Sequence, residues 1–360
     1  MKKPGKIEQV LDLLTQPAFT VMHGRIMHTN QAAKNLHIEP ETPVQELMLS
    51  DYEEYENFTG GCLTLTLQSL GSNLNASITR NGKTDIFVLQ DLTENPVLAA
   101  LARSGLQLRQ PLSNILTILD SYESAGKGKK QNNDLQTAQL KKNAMQMLSN
   151  IINMSDVGSW MERGVVKESC NICSLFQETM EKCSNALSAA KVYIKYTCSE
   201  TPIYTSVNAE MLERAIYNMI SNAAKFSVPE VFIEAALVKD NNKVRISVQS
   251  TAPNAEKDLS TISFNSFLRQ PSLEDSHLGI GLGMTLIRSA ALAHKGTVLI
   301  DIPQPNKIRV SMTLSITPHT PSKTLRSPVL RLSNYAGGLD LTLLEFADIL
   351  PAECYNQKLL

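Results

Sequence analysis

The sequence predicts a modular α+β fold: a small α/β domain, then a two-helix hairpin, then an α/β sandwich. Three observations carry this. Leu63, Leu65 and Leu67 alternate with threonines, Gly71-Ser72-Asn73 turns, and residues 74–80 run back, the period-two pattern of a hairpin. Leu98, Leu101, Gly105, Leu108, Leu112, Ile115 and Leu119 step by three and four, as a coiled-coil seam does. Leu212, Ala215, Ile216, Met219, Ile220 and Ala223 line one helix face, and Lys243 to Gln249 then alternates as a strand.

The 360 residues suffice for two or three domains with a sizeable core. Apolar content of 42% and charged content of 19% are those of an ordinary globular chain. A formal net charge of −1 gives no electrostatic reason to expect a nucleic-acid partner. No apolar run approaches the roughly 18 residues that cross a bilayer, so no membrane insertion is expected. The basic start Met1-Lys2-Lys3-Pro4-Gly5-Lys6 leads into Ile7-Glu8-Gln9 rather than an apolar signal core. Six cysteines in such a chain read as reduced thiols, and a cytoplasmic location is expected.

Residues 1–93 form the first unit. Pro17 to Val21 reads as a strand, His23-Gly24-Arg25 as a tight turn into a second, and Asn30 as the cap of a short helix at Gln31-Ala32-Ala33. Thr84 to Gln90 adds a strand that ends at Asp91-Leu92-Thr93. This order resembles a compact PAS domain. His23, His28 and His37 are scattered and sit in no haem or flavin motif, so they read as surface or packing residues.

Residues 94–163 read as two long helices broken by the basic loop Gly126 to Asn132, with a second seam at Leu140, Ala144, Met147, Ile151 and Met154. One hairpin buries such seams poorly, so a homodimer with a four-helix bundle is expected. A structural spacer is the plainer alternative.

Residues 164–316 hold the sandwich. Asn218 and Asn222 are four apart and share a helix face. As amides they are poor helix formers, so either they are merely solvated on a core helix or they have a ligand. Gly279-Ile280-Gly281-Leu282-Gly283-Met284-Thr285-Leu286 supplies the means, a glycine run opening a helix whose N–H groups can face a phosphate. Together, in this order, the two stretches resemble the N box and second glycine box of the ATPase domain of sensor histidine kinases.

That resemblance implies ATP and Mg²⁺ as cofactors, with Asn222 as metal ligand and Asn218, Lys225, Gly279, Gly281, Leu282 and Gly283 around the phosphates. It also exposes departures. Leu106-Gln107-Leu108-Arg109-Gln110-Pro111-Leu112 resembles the phosphoacceptor box, yet Leu106 stands at the family's phosphorylated His and Gln107 at its acidic neighbour. Ser250-Thr251-Ala252-Pro253-Asn254 stands where the family has Asp-x-Gly-x-Gly. Ser250 replaces the Asp that accepts from the adenine amino group, and Ala252 adds a methyl at the adenine edge. Phe264 to Arg269 resembles the F box, residues 270–277 the lid, and Ala293-His294-Lys295-Gly296 the turn after the glycine-box helix. Binding of ATP and Mg²⁺ is therefore expected to be weak or absent. The implied function is that of a histidine-kinase homologue with impaired or absent phosphotransfer, with a response regulator or a partner histidine kinase as its target. Two alternatives stand beside it: a kinase that phosphorylates a partner's His in trans, and a scaffold that binds no nucleotide.

Cys170 and Cys173, with Cys183 and Cys198, lack the second close pair of a structural zinc site and read as buried thiols. Residues 317–328, rich in Pro, Ser and Thr, are a linker. Residues 329–360 are a helical tail, with Leu339, Leu343, Phe346 and Leu350 at helical steps before Pro351.

Overall fold

In the computed structural model, His23 and Gly24 turn the chain between β1 (Ala18–Met22) and β2 (Arg25–Thr29), both at positive φ, 53° and 73°, as a two-residue hairpin loop requires. The structure describes residues 6–48, 51–69, 72–90, 112, 115, 131–162, 165–199, 201–227, 230–253, 255, 282–317 and 339–356. Asn30 caps the short helix Gln31–Asn35, its side chain accepting from the Ala33 N–H at 2.9 Å. The Asn30 amide also donates to the Leu11, Leu14 and Gln16 carbonyls, which ties the first helix, Lys6–Leu11, to the sheet. Strands β3 (Cys62–Ser69), β4 (Ser72–Asn81) and β5 (Thr84–Gln90) complete an antiparallel sheet in the order β2-β1-β5-β4-β3. Its core holds Phe19 stacked on Phe87 at 4.7 Å, with Leu63, Leu65, Leu67 and Ile78.

A second unit follows the long helix Gln131–Glu162. It contains β6 (Glu168–Asn171), the helix Ile172–Leu187, β7 (Val192–Cys198), β8 (Tyr204–Val207) and the amide-bearing helix Ala209–Lys225. Strands β9 (Val231–Asp240) and β10 (Lys243–Thr251), the glycine-led helix Leu282–Ala293, β11 (Val298–Gln304) and β12 (Lys307–Ser315) close it. We label the helices 131–162, 172–187, 209–225 and 282–293 as α4, α5, α6 and α7, after the short helices α1 (Lys6–Leu11), α2 (Gln31–Asn35) and α3 (Tyr52–Glu56). Helices α5, α6 and α7 pack on the sheet β11-β12-β10-β9-β7, which is antiparallel except for the β7–β9 pair. Buried Val244, Ile246 and Val248 alternate along β10 toward this helical layer.

The two sheets are one. Outer strand β3 pairs antiparallel with β11 through Val298–Thr64, Leu299–Leu63 and Ile300–Cys62, giving ten strands in a continuous sheet. Gly61, at φ 98°, permits this approach, because a Cβ there would lie 2.1 Å from the Ile300 carbonyl oxygen. Lys243 of β10 reaches across to Asp51 at 3.0 Å and to Glu54 of α3.

The tail differs from expectation. Its helix, α8, spans only Leu341–Glu345, capped by Asp340. The ladder breaks at Ala347, whose N–H reaches only Leu344 at 3.4 Å, and Asp348 turns to Lys225 instead. Leu341, Leu344, Phe346, Ala347, Leu350 and Tyr355 join the core formed by α4 to α7. Of the predicted α4 seam, Ala144 and Ile151 are buried, whereas Leu140 and Met147 are 56% and 57% exposed. The first hairpin helix, apart from Leu112 and Ile115, lies outside the described residues, as does Asp91-Leu92-Thr93.

Candidate functional site

Helix α6 starts at Asn208, whose side chain accepts from the Met211 N–H at 2.8 Å. The Asn208 backbone N–H in turn donates to His294 Nε2 at 3.0 Å. That contact requires an unprotonated Nε2, so Nδ1 carries the proton and donates to the Ala290 carbonyl at 2.7 Å. His294 thus pins the start of α6 to the end of α7. The expected turn residue is a bridge between the two helices that carry the site.

Burial holds the His294 pKa down, to about 4 from an ordinary 6.5. A histidine with a lowered folded pKa binds its proton more readily in the unfolded chain. Its stabilising effect is complete above pH 6.5 and is lost as pH falls toward 4. Between pH 7 and pH 4.5 the chain is expected to lose roughly 2–3 kcal/mol more stability than the His294→Gln variant. Urea unfolding of both proteins at the two pH values measures this, and equal losses would refute it.

The amide pair sits on α6, with Gly283, the last glycine of the run, against it. Asn218 is buried and its amide donates to the Arg214 carbonyl at 3.0 Å. Asn222 is half-buried; its amide meets Met284 Sδ at 3.6 Å, and its Oδ1 accepts no hydrogen bond among the described residues. At Gly283, in the first turn of α7, a Cβ would lie 2.8 Å from Asn218 Oδ1 and 3.6 Å from both amide atoms of Asn222. Only a glycine lets the start of α7 lie this close to both amides. Leu282 opens the helix, while Gly279, Gly281, residues 264–277, Leu106 and Gln107 lie outside the described residues.

Ser250 ends the inward-facing row of β10, after Val244, Ile246 and Val248. It is 3% exposed, and its Oγ has no hydrogen-bond partner among the described residues. A buried hydroxyl left unpaired is costly, which suits a position shaped for a polar ligand group. Ala252 is fully buried just beyond, its N–H donating to the Asn306 carbonyl at 2.7 Å. Asn222 Oδ1 and the Ser250 hydroxyl, both without a hydrogen-bond partner among the described residues, and the close approach of α7 to the amides at Gly283 together fit a magnesium-bound phosphate ligand with a polar base.

Lys225 is held by Asp348 of the tail. The sequence reading attached no role to Arg214, which is fully buried. Its Nη1 lies 2.8 Å from Asp156 of α4, its Nε lies 3.1 Å from Glu345 of α8, and its Nη2 donates to Asn153. The available signal was a charged pair, Glu213-Arg214, inside the apolar run of α6. Glu213 is likewise buried, taking Lys182 at 3.0 Å and the Tyr217 hydroxyl at 2.9 Å. Cys170 and Cys173 straddle the junction of β6 and α5. Burial pushes the Cys183 thiol up, and burial with the hydrogen bond that the Cys198 thiol donates to Cys173 pushes Cys198 up to about 12. Among the described residues, no three His, Cys, Asp or Glu side chains cluster as metal ligands, and no helix is long and apolar enough to cross a membrane.

A family model described as Histidine kinase-, DNA gyrase B-, and HSP90-like ATPase matches residues 207–318. Hybrid signal transduction histidine kinase D of Dictyostelium discoideum is 28% identical over 188 residues, 49% of this chain and 12% of that protein. Sensor protein RstB of Escherichia coli is 28% identical over 122 residues, 34% of this chain and 28% of that one. Among solved structures, a complex of the histidine kinase ThkA with the response regulator TrrA aligns over 86% of this chain and 98% of that one, at 16% identity and a TM-score of 0.41. The chain spans 12%, 21% and 28% of the first three curated relatives it matches. Residues 207–318 are thus an ATPase module of the histidine kinase, gyrase B and HSP90 kind, and the curated relatives that the chain resembles are sensor histidine kinases.

Proposed function

We propose that the chain is a dimeric regulator of two-component signalling in which phosphate transfer to itself is impaired or absent. The carrying observation is Leu106, at the position that aligns with the family's phosphoacceptor, followed by Gln107. Leucine offers no nucleophilic atom, and an amide cannot act as a carboxylate base. No other histidine lies between His37 and His277. The strand order β2-β1-β5-β4-β3 supports a PAS-like input domain in residues 1–93. The exposed Leu140 and Met147, seven residues apart on α4, support a dimer that covers them. Light scattering is expected to give a dimer at tens of micromolar, and a monomer would count against this.

Nucleotide binding is expected to be weak. Asn222 would hold Mg²⁺ through its side-chain oxygen, and Gly279, Gly281, Leu282 and Gly283 would face the phosphates. Bound Mg²⁺ supplies charge neutralisation there. Ser250 would meet the base with a neutral hydroxyl, losing a charge-assisted hydrogen bond worth about 1.5–3 kcal/mol, or roughly ten- to a hundredfold in affinity. Calorimetry is expected to show ATP binding no more than about tenfold tighter than GTP.

Incubation with γ-labelled ATP tests the whole reading. The unmodified chain and Leu106→His are both expected to stay unlabelled, since the single change supplies a nucleophile without its base, a role typically worth 10²–10⁴-fold in rate. The triple change Leu106→His, Gln107→Glu, Ser250→Asp is the variant expected to gain acid-labile label. Label on the unmodified chain would overturn the proposal. Asn222, whose side-chain oxygen accepts no hydrogen bond among the described residues, favours a second reading, a kinase acting in trans on a partner's histidine. Affinity for ATP that does not depend on Mg²⁺ would exclude it, and absence of any nucleotide binding would leave the scaffold.

A further inference from the structure

The segment 339–356 lies outside the matched ATPase module and touches the three helices that define the site's surroundings. Asp340 caps α8, and the Tyr355 hydroxyl donates to the Leu343 carbonyl at 2.7 Å, folding the segment into a closed loop. Its apolar side chains, Leu341, Leu344, Phe346 and Leu350, fill a groove bounded by α4, α5 and α6. The Phe346 ring stands edge-on to Tyr217 of α6 at 5.7 Å. At the floor Glu345 meets Arg214, and at the rim Asp348 meets Lys225.

Two properties distinguish this segment from a permanent part of the core. Its only α-helix is one of five residues, too short to persist in water without the groove. Its charged contacts are also made to groove residues. Arg214 keeps Asp156 and Asn153 of α4 as partners when Glu345 is withdrawn, so the groove's buried guanidinium stays paired. Glu345 would then be hydrated, which relieves the cost of holding a carboxylate in the interior. The occupied groove spans α4 on one side and α5 and α6 on the other. Occupancy therefore fixes the long helix relative to the helix that carries Asn218 and Asn222.

We propose that residues 339–356 are a releasable latch, an acidic apolar peptide that fills the α4–α5–α6 groove and locks α4 onto the amide helix. Release frees α4 to move against the ATPase-type layer, and a competing peptide of the same chemistry would do the same. The proposal is independent of whether nucleotide binds.

The test compares the full chain with a chain ending at residue 338, by hydrogen exchange. Exchange in residues 138–156 of α4 is expected to rise at least tenfold in the shortened chain, with β9, β10 and β12 as protected as before. A synthetic peptide of residues 339–356 added in trans is expected to restore protection, and the same peptide carrying Glu345→Lys and Phe346→Ala is not. In the full chain, Phe346→Ala alone is expected to raise α4 exchange severalfold. Unchanged α4 exchange in either variant would overturn the proposal. So would loss of protection throughout the sheet on shortening, which would make the segment an obligatory part of the core, or equal restoration by the two peptides.

Discussion

Arg214→Met is expected to destabilise the chain by about 3–5 kcal/mol, the usual cost of removing one partner from a buried ion pair. The guanidinium is fully buried between Asp156 and Glu345. Methionine fills a similar volume, so the loss is electrostatic rather than a cavity. Two carboxylates from α4 and α8 would be left facing one another with little solvent. The Glu345 carboxyl is already above the ordinary range because burial outweighs the attraction of Arg214 and Lys225. Without Arg214 it loses one of the two attractions that hold it down and is pushed up further. Adding Asp156→Asn and Glu345→Gln to Arg214→Met is expected to recover most of the loss, because no uncompensated charge then remains buried. Urea unfolding of the single and triple variants measures both, and a single-variant loss below about 1 kcal/mol would contradict the argument.

Gly61→Ala is expected to separate the two sheets. A Cβ at this position would lie 2.1 Å from the Ile300 carbonyl oxygen and 3.1 Å from Asp301 Cα, all backbone atoms that cannot rotate away. The φ of 98° adds strain for any L side chain. Overpacking of this kind costs about 1–3 kcal/mol, comparable to what the short β3–β11 pairing with its three residue pairs can supply. The expected readout is faster exchange of the amides at Leu63, Thr64 and Leu299, with the hairpin β3–β4 and the pair β10–β12 unaffected. Gly60→Ala is the control, since nothing lies within 4 Å of a Cβ there. Equal exchange in the two variants would count against the steric argument.

The elements built on strong periodicity were legible in the sequence. The hairpin Cys62–Asn81 followed from alternating leucines, and α6 followed from apolar steps of three and four. The meeting of the amides with Gly283 was legible because a glycine run opening a helix has few other uses. The face of α4 was not. The helix carries two apolar stripes, and periodicity does not say which neighbour takes which. Ala138, Met145, Leu148 and Ile152 turn toward the ATPase layer, and Leu140 and Met147 turn away from it. Arg214 was missed because apolar periodicity gives no weight to a charge, and its partners come from segments about sixty residues before it and over a hundred after. The β3–β11 pairing was invisible because it is made by backbone groups, with only Gly61 marking it in the side chains.

That pairing has a consequence for how the protein stays dispersed. A strand at the rim of a sheet presents unpaired N–H and C=O groups that recruit other strands, and proteins commonly guard such rims with charge, proline or a covering element. Here β3 and β11 guard one another, so among the described residues β2 and β7 are the rims of the ten-stranded sheet. Cutting the chain between its first unit and its ATPase module uncovers two templates at once, β3 on one piece and β11 on the other. Each half is then a seed for intermolecular β-pairing, and the intact chain is its own chaperone against it.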